Sequence, residues 1–275
     1  MIALPISAAR TRYGTCPICQ QKNALAITVC EGKQLYHCFY GCDQDSLWRV
    51  MRGEMSPTNR PAPKPRQRVN LESAEAFARK LWSSSQPTQG TATEANLRGR
   101  GLTLTIPAMI RHLPNCRHTP SDRNHPAMLA AVTDHAGKVF AVHRTYLLPD
   151  GTGKANVTPA KMSLGNIGGH GVWIAPLADK MAVSEGIENG LAVQQATGIA
   201  TVAALSAGNM TRLELPPLPL ATEVIICADN DANGCGQRAA QAAAQRWVAE
   251  GRTVRITLPP TPDTDFNDVL RGAVL

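Results

Sequence analysis

The chain has 275 residues, a formal net charge of +7 and only 4% aromatic residues, so its core must lean on Ala, Val, Leu and Ile. No run of about 18 apolar residues occurs, which argues against a membrane-crossing helix and a membrane partner. Met1-Ile2-Ala3-Leu4-Pro5 lacks the charged start and long apolar segment of a signal peptide, so a cytoplasmic protein is expected. The charge is uneven: residues 1–70 carry 10 Lys or Arg against 4 acids, and residues 161–275 carry 8 against 11. A basic front and an acidic rear suit a chain that grips a polyanion with one part and holds metal with the other.

Five of the eight cysteines lie between Cys16 and Cys42. In a reducing compartment such clustering favours metal over disulfides. Cys16-Pro17-Ile18-Cys19 is a knuckle in which a tight turn lets two thiolates face one ion. A strand over residues 25–29 and a returning strand lead to Cys38-Phe39-Tyr40-Gly41-Cys42. Two pairs separated by a hairpin supply four tetrahedral ligands for a structural Zn²⁺. Cys16, Cys19, Cys38 and Cys42 are the expected set, with Cys30 and His37 as competing candidates. Tyr36, Phe39 and Tyr40 either stack on bases or pack in the core. Residues 1–52 are thus read as a zinc ribbon. Residues 53–70 alternate Pro57, Pro61, Pro63 and Pro65 with Arg60, Lys64, Arg66 and Arg68, an extended and self-repelling linker.

A helix is expected from Leu71, with Glu72 and Glu75 in its first turn. A second helical stretch, Ala92-Thr93-Glu94-Ala95-Asn96-Leu97-Arg98-Gly99-Arg100-Gly101-Leu102, carries two helix-end cations, Arg98 and Arg100. Strands over residues 127–132 and 138–147 flank the turn His135-Ala136-Gly137. Two more, 161–165 and 171–174, continue this meander, and residues 71–178 form an α+β subdomain.

The rear third, residues 179–275, alternates strand and helix. Residues 180–184, 199–204, 223–228 and 253–258 read as strands; residues 187–197 and 238–249 read as helices. That alternation implies a parallel sheet flanked by helices on both faces. Glu185 follows the first of these strands, and Asp229 and Asp231 follow the third. Ligands gather at the carboxyl ends of strands in such sheets. Three carboxylates placed together repel unless a cation intervenes, and hard divalent ions with oxygen ligands are the usual answer. Turn acids of no function are the plainer alternative for any one of them.

This arrangement resembles the Toprim domain of bacterial-type primases, topoisomerases and some nucleases, which has a Glu after its first strand and Asp-x-Asp after a later one. Asp265-Phe266-Asn267-Asp268 is similar to the Asp-x-Asn-Asp that closes the domain in primases. The cysteine-rich segment resembles the zinc ribbon of DnaG-like primases, with one extra residue in its second pair. Residues 92–102 resemble the segment opening the primase core, with Asn96 where that family has Tyr. Arg144 and Lys161 match two cations that the family places beside the metal pocket, although the Tyr and Asn that follow the Lys do not recur.

The resemblance implies an α/β fold: a Toprim-type parallel sheet, a primase-core-like subdomain before it, and a small N-terminal zinc ribbon. It implies a DNA primase of the kind mobile elements such as plasmids and phages carry, making RNA primers on single-stranded DNA from ribonucleoside triphosphates. Glu185, Asp229 and Asp231 would be catalytic, holding Mg²⁺ or Mn²⁺ with Asp265 or Asp268 in support. Arg98, Arg100, Arg144 and Lys161 would bind nucleotide or nucleic acid, and a replicative helicase or relaxase is the expected protein partner. The sequence ends just past Asp268, which leaves no room after it for a helicase motor. Type IA topoisomerases place Toprim first, and a Toprim nuclease would bring a phosphate loop that is missing here. The rival is a non-catalytic Toprim and zinc-ribbon protein that binds single-stranded DNA as an accessory in replication, conjugation or recombination.

Overall fold

Short apolar runs buried on both faces need backbone partners on both edges, and in the rear of this chain they find each other in parallel. The computed structural model describes residues 10–30, 33–38, 42–56, 71–231 and 234–272. The chain divides into two compact units, Met1–Val69 and Asn70–Leu275.

In the first unit β1 (Arg10–Gly14), β2 (Leu25–Cys30) and β3 (Lys33–Cys38) form an antiparallel sheet in that order. Helix α1 (Gln44–Met51) follows, with Asp43 as N-cap accepting from the Ser46 N–H at 2.8 Å. The core holds Cys16, Ile18, Cys19, Leu25, Tyr36, Cys38 and Leu47. Tyr36 is therefore a core residue, its ring edge-on to Trp48 at 4.9 Å. Phe39, Tyr40, the linker residues 57–70 and the side chain of Cys30 lie outside the described residues.

The second unit opens with α2 (Leu71–Ser83) and α3 (Ala92–Gly99), both anticipated. An antiparallel sheet follows, ordered β4 (Ile110–His118), β5 (Arg123–Thr133), β6 (Val139–Tyr146), β7 (Lys161–Gly165). Strand β4 escaped the sequence reading because its residues do not alternate cleanly. It is an edge strand, and its register breaks between Leu113 and Cys116, where Pro114 cannot donate.

The second sheet runs β12-β11-β9-β10-β8. Its strands are β8 (Val172–Trp173), β9 (Lys180–Ser184), β10 (Ala200–Ala203), β11 (Glu223–Cys227) and β12 (Thr253–Thr257). Strands β9 to β12 are parallel, as expected. Strand β8 does not extend the meander: it pairs antiparallel with β10 and closes one edge. The helices are α4 (Ile187–Thr197), α5 (Ala207–Met210), α6 (Cys235–Ala249) and α7 (Phe266–Leu270). Ala240, Ala243 and Trp247 of α6 pack on one face, over Met181, Val183, Val224 and Ile226. Val193 of α4 and Phe266 of α7 cover Ala182 and Cys227 on the other.

Helix α4 is enclosed on both sides. Its Ile187, Leu191 and Ala192 join a second core with Met128, Ala130, Val132 and Ala141 of the antiparallel sheet. All of residues 187–193 are buried, so only the last turn of this helix meets solvent. Gly190 makes the approach possible: a Cβ there would lie 2.5 Å from Ile174 Cδ1 and 2.7 Å from Ser184 Oγ.

Candidate functional site

From β9 the chain crosses through α4 to β10 on one side; from β11 it crosses through α6 to β12 on the other. The loops leaving β9 and β11 therefore diverge, and a crevice opens between two adjacent strand ends. Ser184 is level with Cys227 across that pair, so Glu185 emerges beside the segment bearing Asp229 and Asp231. The sheet topology brings the three predicted acids to one place.

Their electrostatics agree. Burial pushes the Asp229 carboxyl up to about 6, and the charges of Glu185, Asp265 and Asp231 add to the rise. Asn189 Nδ2 donates to Asp229 Oδ1 at 2.7 Å and partly offsets it. Burial also raises Glu185; the Ala207 N–H opposes this, and Asp231 adds to it. Asp265 caps α7, accepting from the Asp268 N–H at 2.9 Å, while Asp268 accepts from the Asp265 N–H at 3.2 Å. Asp265 thus reaches Asp229 by its charge, and Asp268 is its partner in the cap. A half-buried set of hard oxygen donors, two of them raised by burial and neighbouring negative charge, fits a divalent cation.

A carboxyl protonated more readily when folded favours the folded state at low pH. That contribution fades as pH rises from the unfolded value near 4 through about 6. In Mg²⁺-free buffer, Asp229→Asn should therefore melt higher than wild type at pH 7.5 and at the same temperature near pH 3.5. Thermal melts at the two pH values check this, and a lower melting temperature at pH 7.5 would contradict it.

Facing the acids is a group of cations. Lys161, on β7, pairs with Glu188 in the first turn of α4, Nζ to Oε1 at 3.1 Å. Burial pushes the Glu188 carboxyl up, but Lys161, its own backbone N–H and Arg100 together hold it at about 2. Burial holds the Lys154 ammonium below its usual value, and Lys161 and Arg100 push the same way against Glu188 and Asp265. Arg100, Lys154 and Lys161 thus gather round one buried carboxylate, three positive charges against one negative. His143 Nδ1 lies 3.0 Å from Ser163 Oγ. Burial, with Lys161 next, pushes that imidazole down to about 4, so it is neutral at pH 7.

Two predicted cations go elsewhere. Lys161 is level with Thr145 and Met162 with Arg144, and strand side chains alternate. Arg144 is therefore carried to the face away from Lys161, over the Tyr146 ring at 5.8 Å and near Cys116. Arg98 spends its guanidinium on the turn after α3, donating to Leu102 O at 2.7 Å and Leu104 O at 2.9 Å. Glu188, Lys154 and His143 were missed by sequence reasoning. Nothing in their spacing marks them; only His143, next to Arg144 on a strand, could have been found by testing the opposite face.

In the first unit the four cysteine Sγ atoms lie within 4.8 Å of one another, the one such group of potential ligands among the described residues. The carboxylates are spaced more widely. Cys16 to Cys42 is 3.8 Å and Cys19 to Cys38 is 3.7 Å. A tetrahedron with Zn–S bonds of about 2.3 Å has edges of about 3.8 Å. Burial and neighbouring thiols push the Cys16 and Cys42 thiols up, a crowding that a soft dication relieves. His37 is exposed and stands outside the cluster.

Residues 180–273 match the Toprim domain family, and residues 72–174 match a domain of unknown function (DUF7146). Among solved structures, the DnaG catalytic core is similar with a TM-score of 0.50 at 19% identity, over 74% of this chain and 74% of that chain. A DNA primase domain from Pseudomonas aeruginosa gives 0.47 at 15% identity, over 72% and 74% of the two chains. The zinc-binding and RNA polymerase domains of the Aquifex aeolicus primase give 0.46 at 13% identity, over 99% of this chain and 77% of that one. No curated protein matches the chain. The likeness to the DnaG core shows the fold: a primase-like core that carries a Toprim domain and follows a tetracysteine cluster.

Proposed function

We propose that this chain is a DNA primase that makes short RNA primers on single-stranded DNA from ribonucleoside triphosphates, in the cytoplasm, for replication or transfer of a mobile element. The observation that carries the reading is the crevice at the β9–β11 switch point, with carboxylates on one side and Arg100, Lys154 and Lys161 on the other. A nucleoside triphosphate bound with a cation needs both halves. Asp229 and Asp231, with Asp265 or Asp268 and Glu185, would hold Mg²⁺ or Mn²⁺, which when bound supplies positive charge to the attacking and leaving oxygens. Lys161 and Arg100 would bind the β- and γ-phosphates, the guanidinium bidentately and the ammonium as a point charge. The primer 3′-oxygen bonds to the α-phosphorus as the bond to pyrophosphate breaks. Glu185, its carboxyl raised by burial, would share the metal or accept the hydroxyl proton. Cys16, Cys19, Cys38 and Cys42 would hold a structural Zn²⁺, and a replicative helicase or relaxase is the partner that would deliver template.

Template-directed incorporation of labelled ribonucleotides on varied single strands, with Mg²⁺ or Mn²⁺, tests the reading. Lys161→Ala should raise the KM for ribonucleotide about tenfold, the worth of one charge-assisted bond, and leave single-strand binding unchanged. The positions of Arg98 and Arg144 away from the carboxylates favour a second reading, an accessory protein that binds single strands without making RNA. Wild-type chain that retains single strands yet incorporates nothing on any template would decide for it.

A further inference from the structure

Two buried asparagines connect the halves of this crevice. Asn189 donates from Nδ2 to Asp229 Oδ1 at 2.7 Å and accepts at Oδ1 from the Asn267 N–H at 3.2 Å. Asn267, in α7, donates from its own Nδ2 to the Arg100 carbonyl at 2.9 Å. The two residues are 4% and 2% exposed. These three hydrogen bonds span 40, 78 and 167 residues of sequence and join the β11 end, α4, α7 and the α3 cap.

Each bond has a consequence for the site. A carboxylate turns about its last torsion, and a donor fixed on Oδ1 sets its plane and leaves Oδ2 free for an ion. An amide does this without adding charge, which matters where Glu185, Asp231 and Asp265 already raise Asp229. Its orientation follows from the network, since only one setting gives Asp229 a donor and the Asn267 N–H an acceptor. Replacing it with an apolar residue would leave both partners unpaired in a dry place. At the far end, the Arg100 carbonyl is held by Asn267 while its guanidinium charge acts on Glu188 and Lys154.

We infer that Asn189 and Asn267 are positioning residues that fix the spacing between the metal-holding carboxylates and the phosphate-holding cations. This rests on the primase reading for the identity of the ligands. The structure separates their tasks: Asn189 orients Asp229, and the Asn267 side chain tethers Arg100 while its backbone still serves Asn189.

The test uses the full chain, with Mn²⁺ uptake followed by paramagnetic resonance and ATP affinity by equilibrium dialysis. Asn189→Ala should weaken Mn²⁺ binding about tenfold, the lower end for a residue that orients a ligand. Asn189→Ser, too short to reach Asp229, should do the same and serves if the alanine variant fails to fold. Asn267→Ala should leave Mn²⁺ affinity unchanged and weaken ATP binding about tenfold. Wild-type Mn²⁺ affinity in both Asn189 variants overturns the inference. So does an equal loss of Mn²⁺ and ATP affinity in all the variants, the pattern of general loosening. A wild-type chain that takes up no Mn²⁺ removes the inference and the carboxylate assignment together. A wild-type chain that makes no RNA but shows the split between variants removes the primase reading alone.

Discussion

Asp229→Ala is expected to lower primer synthesis by about three orders of magnitude, near 4 kcal/mol at about 1.4 kcal/mol per decade. Asp229 sits at the centre of the carboxylate group, feels Glu185, Asp265 and Asp231 together, and is the acid that Asn189 orients. In the proposed mechanism its removal takes away the central carboxylate of the metal-holding group, and alanine supplies no oxygen in its place. The metal-free crevice loses a repulsive charge, which offsets the buried Asn189 amide left without its acceptor. Loss of activity with an unchanged or higher melting temperature is thus the signature. Single-strand binding should survive, because this residue touches no template in the proposed mechanism. Primer synthesis within tenfold of wild type would sink the assignment of Asp229 as a metal ligand. Without metal Asp229 holds its proton up to about pH 6 and a cation must displace it, so the acid limb of the wild-type rate profile should move to lower pH as Mg²⁺ is raised.

Cys16→Ser is expected to abolish zinc binding, taking the content from about one ion per chain to near zero. Among the described residues the first unit has three short strands, one helix and a small core in which Cys16, Cys19 and Cys38 are themselves buried members. A unit of that size rarely holds together on apolar burial alone. Structural zinc contributes about 10–16 kcal/mol to small modules of this type. Backbone amides of β2 and β3 should therefore lose hydrogen-exchange protection. Those of β9 and β11, in a unit with hydrophobic cores of its own, should keep theirs. Zinc quantified on the purified chain and exchange followed by mass spectrometry check both halves. Retention of a full zinc equivalent would mean that Cys30 or His37 completes the site in place of Cys16.

What was legible in the sequence was local. Cysteine pairs at knuckle spacing report a metal cluster because a tight turn alone can aim two thiolates at one ion. Strand and helix alternation reports a parallel sheet, because a strand buried on both faces must be apolar throughout and its connection must cross over. Acids at the ends of such strands then fall at the carboxyl edge of the sheet, so Glu185, Asp229 and Asp231 could be named from their positions alone. What required the tertiary structure was everything set by register and by burial between layers. Arg144 and His143 differ by one position, and the pairing of β6 with β7 decides which of them faces the crevice. Glu188 reads as an ordinary acid in the first turn of a helix, yet α4 is enclosed between two sheets. That burial makes the carboxylate seek Lys161 and gather Arg100 and Lys154. Asn189 and Asn267 meet across 78 residues, a contact that no local pattern encodes. The chemistry of the acids belongs to the sequence; the partners that aim and balance them belong to the fold.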